Sequence, residues 1–204
     1  MGEKRVQFDL KYQEFWHKNL EFFKLTPFAS VPVLARSGRA SICNSYLAVK
    51  YLERAYVNFE LIPDDFNKAL STETMAMWFD ERFFNDVVYH FLYQKVINVL
   101  DSGLSPSMPI LNAAKNNMMN YFDYIEGILH KTRYLACDVL TVADITAACH
   151  ISVLDYLNVI DWNKMPIAIK DWYAVIKCRS SFRPLLNDRI SILNPPAHYA
   201  NLDF

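Results

Sequence analysis

The sequence predicts a small mixed α/β unit at the N-terminus followed by an all-helical domain. Three observations carry that reading. The N-terminal part holds short alternating and β-branched segments with a proline and a turn glycine, Pro32 and Gly38. From Ser71 onward, apolar residues recur at intervals of three and four, the period of one helix face. Between the two, Pro63, Asp64, Asp65 and Asn67 cluster, residue types that favour turns. These boundaries give domains at residues 1–62 and 69–190 and a tail at 191–204.

Val6-Gln7-Phe8-Asp9-Leu10 alternates apolar and polar, as a half-buried strand does. Residues 13–23, with Phe15, Trp16, Leu20 and Phe23, suit a short helix. Ser30-Val31-Pro32-Val33-Leu34 reads as a strand with a proline at its start. Ala40-Ser41-Ile42-Cys43 completes a hairpin across Arg36 to Arg39, with Gly38 in the turn. Asn44 and Ser45 then form an N-cap pair for a helix through Tyr46, Val49, Tyr51 and Leu52.

In the helical part, the apolar series from Met75 and Trp78 through Phe83, Phe91 and Leu100 predicts a long helix with a wide apolar face. Gly103 and Pro106 break it. A second helix runs from Pro109 to about Tyr134, with Met118, Phe122, Ile125 and Leu129 on one side. Leu140-Thr141-Val142-Ala143-Asp144-Ile145 is a helix start. Thr141 is the N-cap, the Asp144 carboxylate reaches back to its amide, and Leu140 and Ile145 form a hydrophobic staple. The helix it opens is apolar nearly all round, which predicts burial on every side. Pro166 opens a last helix carrying Ile169, Trp172, Tyr173 and Ile176. The segment from Asn194 to Phe204 has no period and two prolines, so it reads as an extended tail.

Composition excludes several activities. The chain has 204 residues, with 21 Lys plus Arg against 22 Asp plus Glu, and so lacks the basic excess of a nucleic-acid binder. Four isolated glycines, where roughly fourteen would be average, cannot write a phosphate-cradling GxGxxG or GxxxxGK[ST] loop. No apolar stretch is long enough to span a membrane, and MGEKRVQFDL lacks the apolar core of a secretory signal. Cys43, Cys137, Cys149 and Cys178 have no metal-type spacing and read as free buried thiols in a reducing cytosol. A cytoplasmic protein is the expectation. His90, His130 and His150 have no ligand spacing, so no metal site is assigned, and His150 on the buried helix reads as a hydrogen-bonded core residue. Thr141 and Asp144 are structural caps worth about 1 kcal/mol.

Four segments together resemble the glutathione S-transferase superfamily: the stretch from Leu25 to Leu34 with its Val31-Pro32, Asn44-Ser45 leading to Lys50-Tyr51-Leu52-Glu53, the Leu140 to Asp144 box, and Arg179-Ser180-Ser181-Phe182-Arg183-Pro184. The resemblance implies a thioredoxin-like N-terminal domain joined to a transferase-type all-helical C-terminal domain. It implies that Pro32 is cis and that the Val31 backbone would meet the cysteinyl part of glutathione. Asn44 and Ser45 stand where the family usually has an acid and a serine that hold the γ-glutamyl group. Asparagine cannot pair its charge with an ammonium group, so this half of the site is weakened, and plain helix capping is an equal reading.

The same resemblance places the family's first strand and helix, roughly twenty residues, ahead of Val6, where only Met1 to Arg5 stand. The N-terminal domain therefore reads as incomplete, and no residue aligns with the family's catalytic Tyr, Ser or Cys. Either the true start lies upstream, which fits the intact remainder better, or the strand at Val6 has slid into the vacant place. Phe15-Trp16, Trp78-Phe79-Asp80 and the tail from His198 to Phe204 look like a bacterial cell-division branch. Its members bind the tubulin-like polymer of the division ring without transferase chemistry. That likeness implies a homodimer, with Trp16 as a partner contact and the tail (Tyr199, Leu202, Asp203, Phe204) as a second contact for the septal machinery. The function expected is a non-catalytic adaptor with no cofactor. The alternative is a glutathione-dependent transferase whose catalytic residue lies upstream of Met1. Trp16 lying on its own domain and a back-folded tail are the plain structural readings of the same residues.

Overall fold

The computed structural model describes residues 1–14 and 19–202. The chain divides into two compact units, Met1–Glu60 and Leu61–Phe204.

The first unit is built on a hairpin. Strands β1 (Val33–Arg36) and β2 (Arg39–Cys43) pair antiparallel, with Val33 opposite Cys43 and Arg36 opposite Arg39, and an irregularity between Leu34 and Arg36. Gly38 takes φ +66° in the turn, a conformation that a Cβ would strain. Helix α2 (Ser45–Ala55) follows and packs on both strands, burying Leu52. Before the hairpin, helix α1 spans only Leu20–Leu25, with the Asn19 carboxamide oxygen accepting from the Glu21 and Phe22 amides at 3.0 and 3.2 Å. The predicted helix over 13–23 is thus six residues long and starts later. Its Phe15 and Trp16 lie outside the described residues.

The strand predicted at Val6 to Leu10 does not form. Phe8 and Leu10 are 52% and 80% exposed, and no described strand runs beside them. Alternation makes a segment fit to be a strand, but only a ladder partner makes it one. Met1 to Val6 instead close a turn, with the Lys4 amide donating to the Met1 carbonyl. Lys4 pins this turn to the end of α2: its buried ammonium lies 2.8 Å from Glu53 and donates to the Tyr56 carbonyl at 2.9 Å.

The second unit is helical. A continuous helical run begins at α3 (Phe66–Trp78), where the Asp65 carboxylate accepts from the Lys68 amide at 2.9 Å. It widens to π-helical geometry over Phe79–Val88 and Tyr93–Ile97, with α4 (Tyr89–Leu92) between and α5 (Asn98–Ser102) after. The buried positions Phe79, Phe83, Val87, Phe91 and Val96 recur at four and five rather than at 3.6. An i→i+5 ladder, seen in the Tyr89 amide to Phe84 carbonyl bond, keeps such a series on one face. Gly103 ends the run in the left-handed conformation, φ +62°.

Helix α6 (Met108–Leu129) carries Met118, Phe122 and Ile125 into the core. Helix α7 (Val142–Tyr156) has ten of its fifteen residues buried, which makes it the central helix of the unit, as its apolar circumference predicts. Helix α8 (Ile167–Lys177) adds Ile169, Tyr173 and Ile176. The Phe83 ring stacks against Phe122 at 6.5 Å and meets Phe79 edge-on at 5.4 Å. No helix among the described residues is long and apolar enough to cross a membrane.

Candidate functional site

The hairpin unit brings four of the predicted residues to one corner. The Val31–Pro32 peptide bond is cis. The Asn44 amide donates to the Pro32 carbonyl at 3.3 Å, joining the entry of β1 to the exit of β2. Asn44 takes φ +91°, a left-handed value that costs an L-residue energy and persists where the surroundings impose it. Its carboxamide oxygen accepts from the Tyr46 amide at 2.8 Å, so the side chain is already engaged in starting α2. Ser45 is the first residue of α2 and half-buried. Val31 is 43% exposed. Chemically this corner offers backbone donors and a hydroxyl at a helix N-terminus, which suit a carboxylate, and Asn44 brings it no charge for an ammonium group. The loop leading in is held by Thr26, fully buried, whose hydroxyl accepts from the Phe28 amide at 3.2 Å.

The capping box forms as expected. The Asp144 carboxylate accepts from the Thr141 amide at 2.9 Å, from the Thr141 hydroxyl at 3.0 Å, from the Leu135 amide at 2.9 Å and from Trp172 Nε1 at 3.0 Å. Burial pushes its pKa up, and these four bonds oppose the shift. His150 Nε2 lies 3.0 Å from Asp80, a satisfied pair against the Phe83 and Phe84 rings. Among the described residues no cluster of three His, Cys, Asp or Glu could hold a metal. Cys43 and Cys137 are buried free thiols, whereas Cys149 and Cys178 are exposed, so the expectation of four buried thiols is corrected for two.

The tail differs most from its prediction. It is docked, because the central helix supplies polar groups that an extended reading of the sequence does not anticipate. The Ile190 amide donates to the Tyr156 hydroxyl at 2.8 Å, and that hydroxyl donates to the Leu193 carbonyl at 2.7 Å. Residues Ala197–Ala200 form a 3-10 turn. Tyr199, predicted as a partner contact, is only 3% exposed; its hydroxyl bonds Ser152 at 3.0 Å and its ring meets Tyr156 edge-on at 5.2 Å. Leu202 is half-buried, while Asp203, Phe204 and Trp16 lie outside the described residues.

A buried polar centre at Asp155 was missed by the sequence reading. Its carboxylate, 0% exposed, accepts from Trp162 Nε1 at 2.8 Å and His198 Nε2 at 3.0 Å, with Lys177 Nζ at 3.4 Å and the Tyr173 hydroxyl at 3.5 Å. Lys177, also 0% exposed, donates to the His198 carbonyl at 3.3 Å. Burial pulls the Lys177 pKa down, and Asp155 acts against that pull. The signal in the sequence was an acid near the end of an apolar helix and a lysine after the apolar Trp172 to Ile176. Their pairing across 22 residues was not legible.

Residues 92–174 match the family model for the glutathione S-transferase C-terminal domain. The chain is 31% identical over 207 residues to FtsZ-localized protein A of Caulobacter vibrioides, covering 100% of this chain and 90% of that protein. The solved structure of FzlA from C. crescentus superposes with a TM-score of 0.94 at 32% identity, covering 100% of this chain and 91% of that one. A glutathione S-transferase structure from Rhodospirillum rubrum gives the same TM-score and coverage at 35% identity.

Proposed function

The chain belongs to the glutathione S-transferase superfamily, and from that premise we propose that it is a non-catalytic adaptor of bacterial cell division that associates with FtsZ filaments in the cytoplasm. The observation that carries this reading is likeness over 100% of this chain and 90% of a protein named for its localisation with FtsZ. The Val31–Ser45 corner supports it: Asn44 supplies no charge for a glutathione ammonium group, and its side chain caps α2. Trp16, that corner and the tail are the proposed contacts. The working form is a homodimer, and the α3 face carrying Phe66, Leu70 and Met77 (77%, 54% and 46% exposed) supports it, because an exposed apolar stripe of this kind marks an interface.

The test is co-sedimentation with polymerised FtsZ, using Trp16→Ala as the control. Pelleting that Trp16→Ala abolishes supports the adaptor. Absence of pelleting by the unaltered chain sinks it. The joining of Pro32 and Asn44 in one corner keeps a second reading, glutathione as ligand or cosubstrate, open to a direct calorimetric titration. Millimolar or tighter binding that Asn44→Ala weakens would favour it.

A further inference from the structure

Three seats hold the C-terminal segment, and all lie on one face of α7, at positions 152, 155 and 156. Tyr156 clamps Ile190 and Leu193 through its single hydroxyl. Ser152 bonds the Tyr199 hydroxyl. Asp155 bonds His198, whose carbonyl is held in turn by Lys177. A terminal segment ordinarily frays unless something ties it down, and here two fully buried charges, Asp155 and Lys177, are among the ties. Burying charges is costly, and a docked tail that only covered apolar surface would not need them.

We propose that residues 188–200 form a clamped strap that fixes the point on the helical domain from which the chain continues past Ala200. Tyr156, Ser152, Asp155 and His198 are its positioning residues. The proposal rests on the reading above that the tail is among the contacts with the FtsZ filament. A contact segment that starts from a fixed point loses less freedom on binding than one on a free chain, so it binds more tightly with no added contact. The strap also limits the contact: Tyr199 is inside the clamp and closed to a partner.

Two measurements on the full chain test this and separate its failure from that of the adaptor reading. The first is carboxypeptidase digestion followed by mass spectrometry. The unaltered chain should be trimmed no further than Ala200, His198→Ala should be trimmed past His198 toward the Tyr156 clamp on Leu193, and the double variant His198→Ala with Tyr156→Phe should be trimmed back past Ile190. His198→Gln, which keeps a donor for Asp155, should restore the stop. Trimming of the unaltered chain past His198 at the variants' rate overturns the strap whatever the partner does. The second is co-sedimentation with polymerised FtsZ. Deletion of residues 201–204 should weaken binding, and Tyr156→Phe and His198→Ala should each weaken it about ten-fold, with His198→Gln near the unaltered value. A deletion effect without any effect of Tyr156→Phe or His198→Ala overturns the strap while the adaptor stands. Full binding by the deletion, with loss in Trp16→Ala, leaves the adaptor standing and overturns the tail as a filament contact, and the positioning role with it.

Discussion

Replacing Asp155 with asparagine removes the carboxylate on which Trp162, His198, Tyr173 and Lys177 converge. Asparagine keeps one acceptor oxygen but turns an NH2 group toward side chains that are themselves donors. Both Asp155 and Lys177 are 0% exposed, so the variant leaves a buried ammonium with its carboxylate gone. Breaking a buried pair from one side costs about 3–5 kcal/mol, because the stranded charge keeps its desolvation penalty. At 2–4 °C per kcal/mol for a chain of this size, the melting temperature should fall by roughly 6–20 °C. Urea denaturation followed by far-UV circular dichroism measures the loss, with an unchanged m value confirming that folding stays cooperative. The cause is isolated by the double variant with Lys177→Met, which removes the stranded charge and should be markedly less damaged than the sum of the two single variants. A single-variant loss below about 1 kcal/mol, or additivity within about 0.5 kcal/mol, would refute the argument.

Asn44 separates capping from strain. Asn44→Ala should cost about 1–3 kcal/mol, losing the bond to the Tyr46 amide while keeping a Cβ at φ +91°. Asn44→Gly should be near neutral or stabilising, since glycine relaxes that φ; equal losses in urea melts would contradict this. Burial raises the Asp144 carboxyl above 3.8, so the folded chain holds that proton more tightly than the unfolded one. Its contribution is therefore full below 3.8 and lost as pH rises through the folded value. The stability of the unaltered chain relative to Asp144→Asn should accordingly be greater near about pH 4 than near about pH 7, and a pH-independent difference would count against it. Phe83→Ala should cost about 3–5 kcal/mol, because Phe83 is fully buried among Phe79, Tyr121 and Phe122. A loss under about 1 kcal/mol in the same melts would mean the core can close over the gap.

The helical domain was largely legible because its signals are local. Thr141 and Asp144 are three residues apart, and the box they form needs no distant partner to define it. The hairpin was legible for the same reason: Gly38 and the β-branched flanks fix the turn within a few residues. The widened stretch over Phe79–Val88 was only half legible. Its apolar residues predicted a helix, while their spacing of four and five, read as ordinary amphipathicity, marked a wider turn. The strand at Val6 to Leu10 failed because alternation reports a segment's fitness for a sheet and says nothing about whether a neighbour is present to pair with it.

The sequence by itself determined the two-unit division, the capped central helix and the Val31-Pro32 and Asn44-Ser45 pairs, since each is written in residues close along the chain. Tertiary structure alone decided what those residues do with their polar groups. It committed the Asn44 side chain to Tyr46, and it seated a tail with no period of its own on Ser152, Asp155 and Tyr156. The physical reason is that a buried charge or hydroxyl must find its partner wherever the fold brings one, and for Asp155 the partners lie 7, 22 and 43 residues away.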